Sequence, residues 1–432
     1  MLLFMLACSG NAVPTLTGSV PKFYGPAPKN VLWVSMDTIR LSEMGRYGGS
    51  EPLTPFLDSL MRDGLALDHH VSCSNWTFPS VACAAQGQWM VDMDWVPRID
   101  SYRLPAPDVP SLASELSAAG YATILLTSNS WLSGEWNTDY GFDYSERPDS
   151  TYTEDIFAYG EEKISDAQKN GAENWFLHIH IKEAHAAYKP PEEYLAGLDA
   201  LPSISYNLES SDEHYDAADD WETLSAEQQD VLLQHLWLRY RGELRFMDDQ
   251  LREAFEDFDR KGLLDDTLVV FWSDHGEQFY EHGYQTHAYV LYREENEAVG
   301  FFWSKNMRPL AWNGPTGHPD LAPTTLAILG KPIPESFTGL PVGTAPDDRI
   351  MPLMAVARVG PINAMYQNNL KMMYSWGAGR KYLYDLDADP AELTDIYDPT
   401  DPNVIALWDE LTPILERMDP LVEYYSPANV GP

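Results

Sequence analysis

The sequence is poor in basic residues, and this scarcity limits the kinds of partner that the protein can bind. Its 432 residues include 28 Lys and Arg against 66 Asp and Glu, which gives a formal net charge of -38. Because nucleic-acid backbones are bound mainly through Lys and Arg, we expect no nucleic-acid partner. The acidic excess also repels anionic substrates at long range. Such a substrate can bind only if salt screens the acidic surface or if bound cations reverse its charge locally.

Cysteine is also scarce, with three residues in the whole chain. Cys73 and Cys83 are close enough in sequence to form a disulfide in an oxidising compartment, and two buried free thiols are the alternative. The third cysteine, Cys8, belongs to a separate feature at the N-terminus.

No hydrophobic run reaches the roughly 20 apolar residues that a membrane-spanning helix needs. The short N-terminal run ends in Leu-Ala-Cys-Ser, which is similar to a bacterial lipoprotein signal with cleavage before Cys8 and lipid on its sulfur. The run lacks the positive segment of a signal peptide, and a ragged cytosolic N-terminus is the alternative. We predict that residues 1–28 are a signal and tether. The protein would then be exported to the periplasmic side or cell envelope, with the lipid anchor as its only membrane attachment.

Composition and patterning predict a globular α/β protein. Apolar residues make up 44% of the chain and aromatic residues 12%, and single cores stop growing at roughly 250–300 residues, so one large core plus a subdomain fits. Four apolar runs with helix-period segments between them predict a mostly parallel sheet sandwiched by helices. The runs are residues 31–36, 122–127, 175–181 and 267–273.

Two helical segments have clear signals. Residues 54–63 begin with a threonine cap and Pro55 and end at Gly64, which is the usual order of start and stop residues. The second segment has apolar residues at helical spacing, which predicts one buried face. These residues are Tyr240, Leu244, Met247, Leu251 and Phe255.

The pattern of the sequence changes from about residue 346. Short strand candidates and one amphipathic helical segment follow, and they predict a small antiparallel sheet plus helix. The strand candidates are residues 351–356, 370–375 and 382–386, and the helix lies near residues 404–418. We therefore predict a catalytic domain over residues 29–345 and a C-terminal subdomain over residues 346–432. The polar, acidic residues 203–228 are interpreted as a surface insertion.

Acidic residues and a histidine follow two of the predicted strands directly. Asp37 follows the first strand, and Asp274 and His275 follow the strand at 267–273. Ligands of open α/β sheets bind at the carboxyl ends of strands, so these side chains are expected to converge. A single Asp in this position is ordinarily a helix cap, but two with an adjacent His indicate a metal site, and the donors suit zinc or manganese.

Thr77 is the candidate nucleophile. Pro79 and the small residues after it predict a helix that starts at Pro79, so Thr77 lies just before a helix N-terminus, where backbone N–H groups favour an anion. A threonine hydroxyl is a weak nucleophile unless a metal activates it, and the same N–H groups could hold a phosphoryl oxygen. An ordinary threonine N-cap is the alternative interpretation.

Histidines are concentrated near the same predicted edge. His178 and His180 lie on one face of a strand, and His180 is a candidate substrate contact. Glu183 and His185 lie just past the end of that strand, and His287 follows farther along the chain. We interpret His185 and His287 as functional and His178 as a structural histidine.

Five segments in order together resemble the sulfatase branch of the alkaline phosphatase superfamily. They are NVLWVSMDTIRLSEMGRY, SNWTFPSVA, LLDDTLVVFWSDHGE, DLAPTTLAILGKPIPESFTG and YLYDLDADPAELTDI. The resemblance spans roughly residues 29–400, and it implies an alkaline-phosphatase-like fold and metal-dependent ester hydrolysis.

The resemblance also implies residue roles. It makes Asp37, Asp274 and His275 metal ligands and Thr77 the nucleophile. Asn129 matches an asparagine that contacts a phosphoryl oxygen.

Four further roles follow from the same resemblance. Arg40 matches a supporting arginine on the substrate side. His185 matches a histidine that touches the transferred group or a second metal, and His287 stands at a position held by lysine or by a metal-binding histidine. Glu183 is a candidate ligand of a second ion.

Departures from the sulfatase pattern set the expected chemistry. A true sulfatase needs Cys or Ser at position 77, followed by x-Pro-x-Arg, to make formylglycine, whereas this chain has Thr77 and Val81. Thr38 replaces the second Asp of the usual pair, and His275 stands where many sulfatases have Asn. These departures resemble the threonine-using branch, which includes nucleotide pyrophosphatase/phosphodiesterases and phosphoethanolamine or phosphoglycerol transferases.

We therefore predict a metal-dependent hydrolase that cleaves phosphate mono- or diesters through a threonine nucleophile. It would use one or two divalent ions, zinc or manganese first, with calcium or magnesium as alternatives. The substrate would be a small anionic ester or a lipid or glycan headgroup. The alternatives are a sulfuric ester hydrolase that works without formylglycine and a non-catalytic, envelope-anchored binding protein. The sequence leaves the oligomeric state open.

Overall fold

A computed structural model describes residues 21–49, 52–93, 95–97, 103–106, 109–148, 150, 152–357 and 360–424. The predicted lipoprotein signal with Cys8 lies outside these residues. Within them, no helix is long and apolar enough to cross a membrane.

The described chain alternates strands and helices over most of its length. The strands are β1 Asn30–Met36, β2 Leu65–Val71, β3 Trp95–Pro97, β4 Arg103–Pro105, β5 Ala122–Thr127, β6 Tyr144–Glu146, β7 Trp175–Ile181, β8 Thr267–Ser273, β9 Gln278–Phe279, β10 Gln285–Thr286, β11 Gly300–Trp303, β12 Leu310–Gly317, β13 Met351–Ala357, β14 Gly360–Gln367, β15 Leu370–Ser375 and β16 Arg380–Asp385. The α-helices are α1 Pro55–Asp63, α2 Thr77–Gln86, α3 Leu112–Ala118, α4 Thr153–Lys169, α5 Ser211–Asp219, α6 Ala226–Arg260, α7 Arg293–Asn296, α8 Leu321–Ile328 and α9 Pro402–Tyr424. Short 3-10 helices lie at Leu41–Glu43, Gly45–Tyr47, Met90–Asp92, Glu192–Tyr194, Leu198–Ala200, Trp221–Thr223 and His318–Asp320.

Eight strands form the central sheet in the order β12-β2-β11-β8-β1-β7-β5-β6. Strand β1 lies at its centre and pairs in parallel with β7 and β8, and β5 pairs in parallel with β7. Only β11 among these eight runs antiparallel to both of its neighbours. The four strands predicted from apolar runs are therefore confirmed, and so is the mostly parallel α/β fold.

Helices cover both faces of the sheet because both faces of its central strands are apolar. In β1, Leu32, Val34 and Met36 pack into a core shared with α1, α4 and α6. Val31 and Trp33 face the opposite way, into a core shared with α2, α3 and α8. A strand buried on both faces reads as a continuous apolar run, which is why β1, β7 and β8 are visible in the sequence.

The predicted helix at 54–63 and the predicted buried face of α6 are confirmed. The five apolar residues singled out on α6 are all buried. At α1, Thr54 makes no side-chain cap, and the Asp248 carboxylate of α6 accepts instead from the backbone N–H groups of Phe56 at 2.8 Å and Leu57 at 3.0 Å. The cap of α1 thus comes from another helix.

The acidic insertion is more integrated than we predicted. Residues 203–228 include α5, and His214 in α5 is fully buried. Its Nε2 lies 2.7 Å from the Gln285 side-chain amide, and its ring meets Tyr188 edge-on. The surface interpretation holds for most of the segment, whose residues are mainly exposed or half-buried, and His214 is an exception that the polar sequence does not show.

The C-terminal part forms an antiparallel sheet in the order β13-β14-β15-β16, followed by α9. The predicted strands are confirmed, and β14 is an additional strand. The boundary that we predicted between residues 345 and 346 stays a prediction.

Candidate functional site

Three of the predicted metal ligands converge at one edge of the central sheet. Asp37 follows β1, while Asp274 and His275 follow β8, and the parallel register pairs Met36 with Ser273. His275 Nε2 lies 3.5 Å from Asp37 Oδ1 and 3.5 Å from Asp274 Oδ2. All three side chains are buried. The sheet therefore brings the predicted ligands together as expected.

The donor atoms of this cluster fit a divalent ion. Asp37 Oδ1, Asp274 Oδ2 and His275 Nε2 lie within 4.8 Å of one another, and none has a hydrogen-bond partner among the described residues. His275 Nδ1 donates to the Gly276 carbonyl at 2.9 Å, which leaves the Nε2 lone pair directed at the carboxylates. Buried, unpaired polar atoms are costly, and two oxygens with one imidazole nitrogen suit zinc or manganese.

The electrostatics of the cluster also favour a cation. Burial raises the pKa of Asp274 well above its ordinary value, and the nearby charge of Asp37 raises it further. Two carboxylates in one buried space repel each other when both are ionised. A bound divalent ion would remove that repulsion, so the residues present fit the predicted metal.

A buried chain of hydrogen bonds connects Asp37 with side chains of β1 and β7. Asp37 Oδ2 lies 3.4 Å from His180 Nε2, His180 Nδ1 lies 2.8 Å from Ser35 Oγ, and Ser35 Oγ lies 2.9 Å from His178 Nε2. Since the carboxylate can only accept, His180 donates to Asp37 and Ser35 donates to His180. The ring of His180 is fully buried and engaged with a candidate ligand, so the structure shows it supporting Asp37, and its role as a substrate contact stays a prediction.

Thr77 is the first residue of α2, so the helix begins two residues earlier than Pro79 predicts. Its hydroxyl lies beside the Asp274 carboxylate and lowers the pKa of that group, and Asn129 Nδ2 donates to the hydroxyl at 3.3 Å. Asn129 Nδ2 also lies 3.1 Å from Asp37 Oδ2. The hydroxyl thus faces the candidate ligands at a positive helix end and does not act as an N-cap.

Cys73 and Cys83 form a disulfide, which resolves the alternatives that the sequence left open. Thr77 lies inside the short loop that this bond closes. Replacing both cysteines with serine is expected to lower the free energy of unfolding by about 2–3 kcal/mol, because the bond restricts the unfolded chain. Urea unfolding of the double variant beside the oxidised protein measures this, and equal midpoints would contradict it.

His185 and His287 lie beside the metal cluster. The ring of His287 is 4.3 Å from that of His275 and 5.2 Å from that of His185. His185 Nδ1 donates to the Ala186 carbonyl at 2.5 Å, which leaves its Nε2 lone pair for another partner. The structure therefore brings both predicted histidines to the site.

Glu277 is a site residue that we did not predict. Its Oε1 lies 2.9 Å from His287 Nδ1, and Tyr188 donates to Oε2 at 3.0 Å. The carboxyl is fully buried, and burial raises its pKa to about 8. The only signal in the sequence was that Glu277 lies two residues after His275, at the end of the segment LLDDTLVVFWSDHGE that resembles the sulfatase branch.

Backbone strain occurs on both sides of His287 and next to Asp37. Thr286 has φ 66° and Ala288 has φ 68°, and Thr38 has φ 59°. Side chains with a Cβ rarely adopt this left-handed region, and such residues persist only where their surroundings hold them. Thr38, which replaces the usual second Asp, donates its backbone N–H to Asp274 Oδ1 at 3.3 Å and so orients a ligand.

Two predicted residues are not brought into the cluster. Glu183 accepts from Thr153 N at 2.6 Å and from the Thr153 hydroxyl at the start of α4, and its other oxygen accepts from Lys182 N at 3.1 Å. A second ion near this site would therefore rely on His185 and His287 rather than on Glu183.

Arg40 is buried beside the site without reaching into it. Its Nη1 donates to the Glu277 carbonyl at 3.1 Å and to Glu281 Oε1 at 2.5 Å, and its guanidinium lies over the Trp237 ring. These contacts hold the loop after His275. These contacts agree with a supporting role for Arg40, and its place on the substrate side stays a prediction.

Comparison with known proteins agrees with this geometry. The sulfatase family model matches residues 29–331. The choline-sulfatase of Rhizobium meliloti (strain 1021) is 27% identical over 176 residues, which cover 36% of this chain. This chain spans only 32% of that relative's length.

Two solved structures share the fold over almost the whole chain. The phosphonate monoester hydrolase SpPMH from Silicibacter pomeroyi has a TM-score of 0.67 at 18% identity, covering 91% of this chain and 96% of its own. BT4656, determined with its substrate D-glucosamine-2-N,6-O-disulfate, has a TM-score of 0.68 at 16% identity, covering 92% of this chain and 98% of its own. At these identities the likeness concerns the fold.

Proposed function

The chain belongs to the sulfatase family, in the sulfatase branch of the alkaline phosphatase superfamily, and from this premise we propose that it is a metal-dependent hydrolase of phosphate mono- or diesters with Thr77 as its nucleophile. The observation that carries the proposal is the position of the Thr77 hydroxyl, which lies at the N-terminus of α2 against Asp274 and Asn129. Threonine cannot be converted to the aldehyde hydrate that formylglycine sulfatases use, so its hydroxyl must react directly.

The side chains around Thr77 suit attack on phosphorus. A divalent ion held by Asp37, Asp274 and His275 would supply positive charge that eases loss of the hydroxyl proton and offsets the charge of the substrate. The Asp274 carboxylate lies beside the Thr77 hydroxyl and would be the acceptor for its proton. As the new oxygen–phosphorus bond forms, the bond to the leaving oxygen breaks on the opposite side of phosphorus.

His287 is placed to exchange a proton with the leaving oxygen. Its Nδ1 lies 2.9 Å from Glu277 Oε1, so Nε2 is the nitrogen that would exchange this proton. Protonated Nε2 would donate to the leaving oxygen, and the neutral ring would then accept a proton from the water that hydrolyses the phospho-threonine. Asn129 Nδ2, 3.3 Å from Thr77 Oγ1, would donate to a phosphoryl oxygen bound there.

A comparison of three nitrophenyl esters tests the reaction class. The full chain, supplied with zinc or manganese, is expected to hydrolyse bis(p-nitrophenyl) phosphate or p-nitrophenyl phosphate at least about 100-fold faster than p-nitrophenyl sulfate, measured as kcat/KM. A preference for the sulfate would instead support the sulfuric ester hydrolase alternative, which the similarity to a choline-sulfatase favours. Metal binding without hydrolysis of any of the three would contradict the enzyme proposal.

We also propose that the protein works outside the cytoplasm, anchored through Cys8. The disulfide between Cys73 and Cys83 supports this location, because disulfides persist mainly in oxidising compartments. Metabolic labelling with a fatty acid, compared between the natural chain and Cys8→Ala, tests the anchor.

A further inference from the structure

We propose that Glu295 is a positioning residue that holds the nucleophile loop, the His275 loop and the His287 loop in one arrangement. Glu295 lies in α7 and is fully buried, although its segment reads as polar in the sequence. No part of the proposed chemistry uses its carboxyl group directly. The catalytic side of this inference rests on the proposed function.

The Glu295 carboxylate joins two catalytic loops. Its Oε2 accepts from Asn75 Nδ2 at 2.8 Å and from the backbone N–H of Ala288 at 3.0 Å. Asn75 stands two residues before Thr77, and Ala288 directly follows His287. One carboxylate oxygen thus connects the loop of the nucleophile with the loop of the candidate proton donor.

Further hydrogen bonds complete the junction, the name used here for the hydrogen bonds through which Glu295 connects the three loops. Glu295 Oε1 accepts from Gln278 Nε2 at 3.0 Å and from the backbone N–H of Val290 at 3.4 Å. The backbone carbonyl of Glu295 accepts from Gly276 N at 2.9 Å, next to His275. Asn75 Nδ2 also donates to the Val290 carbonyl at 2.8 Å, which ties the same loops a second time.

The strained backbone around His287 explains why such a junction is needed. Thr286 and Ala288 both adopt left-handed φ values, which an unrestrained chain would leave. The hydrogen bonds from Ala288 and Val290 to Glu295 hold the loop in this state. Without them the loop would relax, and His287 would move away from its place beside His275.

Glutamine cannot replace this carboxylate. All four groups that face the carboxylate oxygens are N–H donors, and a carboxylate offers acceptors only. Glu295→Gln keeps the shape but turns one oxygen into an NH2 group that meets two of these donors. The substitution therefore breaks the junction while changing the volume of the core very little.

The matched control is Glu297→Gln in the same segment. Glu297 is also largely buried, and it pairs with Arg293 Nη2 at 2.6 Å. Glu295→Gln is expected to lower kcat for the phosphate ester about 10- to 100-fold with KM within about threefold, whereas Glu297→Gln keeps kcat within about threefold. Equal kcat values for the two variants would overturn the positioning role.

Two further measurements separate positioning from general damage. Glycine adopts φ near 68° without strain, so Ala288→Gly added to Glu295→Gln is expected to restore kcat about threefold or more. A double variant no faster than Glu295→Gln would count against the proposal.

Hydrogen exchange tests the junction without any turnover. Amide exchange of residues 286–290 and 72–78 is expected to be about tenfold faster in Glu295→Gln than in the natural protein, and unchanged in Glu297→Gln. Unchanged exchange in Glu295→Gln would overturn the proposal. Faster exchange in a protein that hydrolyses none of the esters would support the junction and contradict only the proposed function. If Glu295→Gln does not fold, Asn75→Ala removes the tie to the nucleophile loop, and the same exchange pattern is expected.

Discussion

Replacing Thr77 with alanine is expected to lower kcat/KM for the preferred phosphate ester by about three orders of magnitude or more, because the attacking oxygen is lost. Thr77→Ser keeps a hydroxyl at the N-terminus of α2 and is expected to retain at least about a tenth of the activity. Serine loses the methyl group that restricts rotation of the hydroxyl, which accounts for the remaining difference.

The covalent intermediate gives this prediction a second readout. Acid quenching during turnover is expected to trap a phosphate-type adduct on the peptide that contains Thr77, detected as a mass increase that is absent in Thr77→Ala. Ser80→Ala, one turn farther along α2 and equally buried, controls for damage to the helix and should still form the adduct. Full activity of Thr77→Ala would show that Thr77 is not the nucleophile, and an adduct on another residue would identify the one that is.

The central sheet and the metal cluster were predictable from sequence because both follow from local rules. Residues 267–273 are buried throughout and apolar from Leu268 to Trp272, since both faces of β8 are covered by helices. Asp37 and Asp274 follow directly after strands, and parallel neighbours end at the same edge. Position in the chain was therefore enough to place these carboxylates together.

The supporting residues were not predictable, because their roles depend on contacts between distant segments. Glu295 bonds to Asn75 across 220 positions of sequence, and nothing near either residue indicates the other. A buried carboxylate such as Glu277 looks in sequence like any surface glutamate.

The same limitation explains two predicted site residues that lie apart from the metal cluster and one misplaced helix start. Glu183 and Arg40 stand near site residues in the sequence, but Thr153 and Glu281 satisfy their charges elsewhere in space. The proline rule placed the start of α2 at Pro79, whereas proline fits anywhere in the first turn, and the helix begins at Thr77.

Replacing Asp274 with asparagine is expected to lower kcat/KM by about three orders of magnitude. The substitution is also expected to make the metal-free protein more stable than the natural protein and the metal-bound protein less stable. In the metal-free protein, burial and the charge of Asp37 raise the pKa of Asp274 above its ordinary value of 3.8. A raised carboxyl pKa means that the folded state binds more protons than the unfolded state, so stability falls as pH rises above about 3.8. The metal-free variant lacks this penalty, and it should be more stable than the natural protein at neutral pH.

Added metal is expected to reverse that order. Zinc or manganese at about 100 times its dissociation constant should stabilise the natural protein by about 2.7 kcal/mol and leave Asp274→Asn almost unchanged. Thermal unfolding with and without the metal measures both effects. Asp320→Asn is the control, because Asp320 is equally buried but pairs with Arg349 outside the cluster, so it should keep the full stabilisation by metal. An equal gain in Asp274→Asn would mean that the ion binds elsewhere, and the buried lone pairs of Asp37, Asp274 and His275 would then need another cation or a bound proton to offset their repulsion.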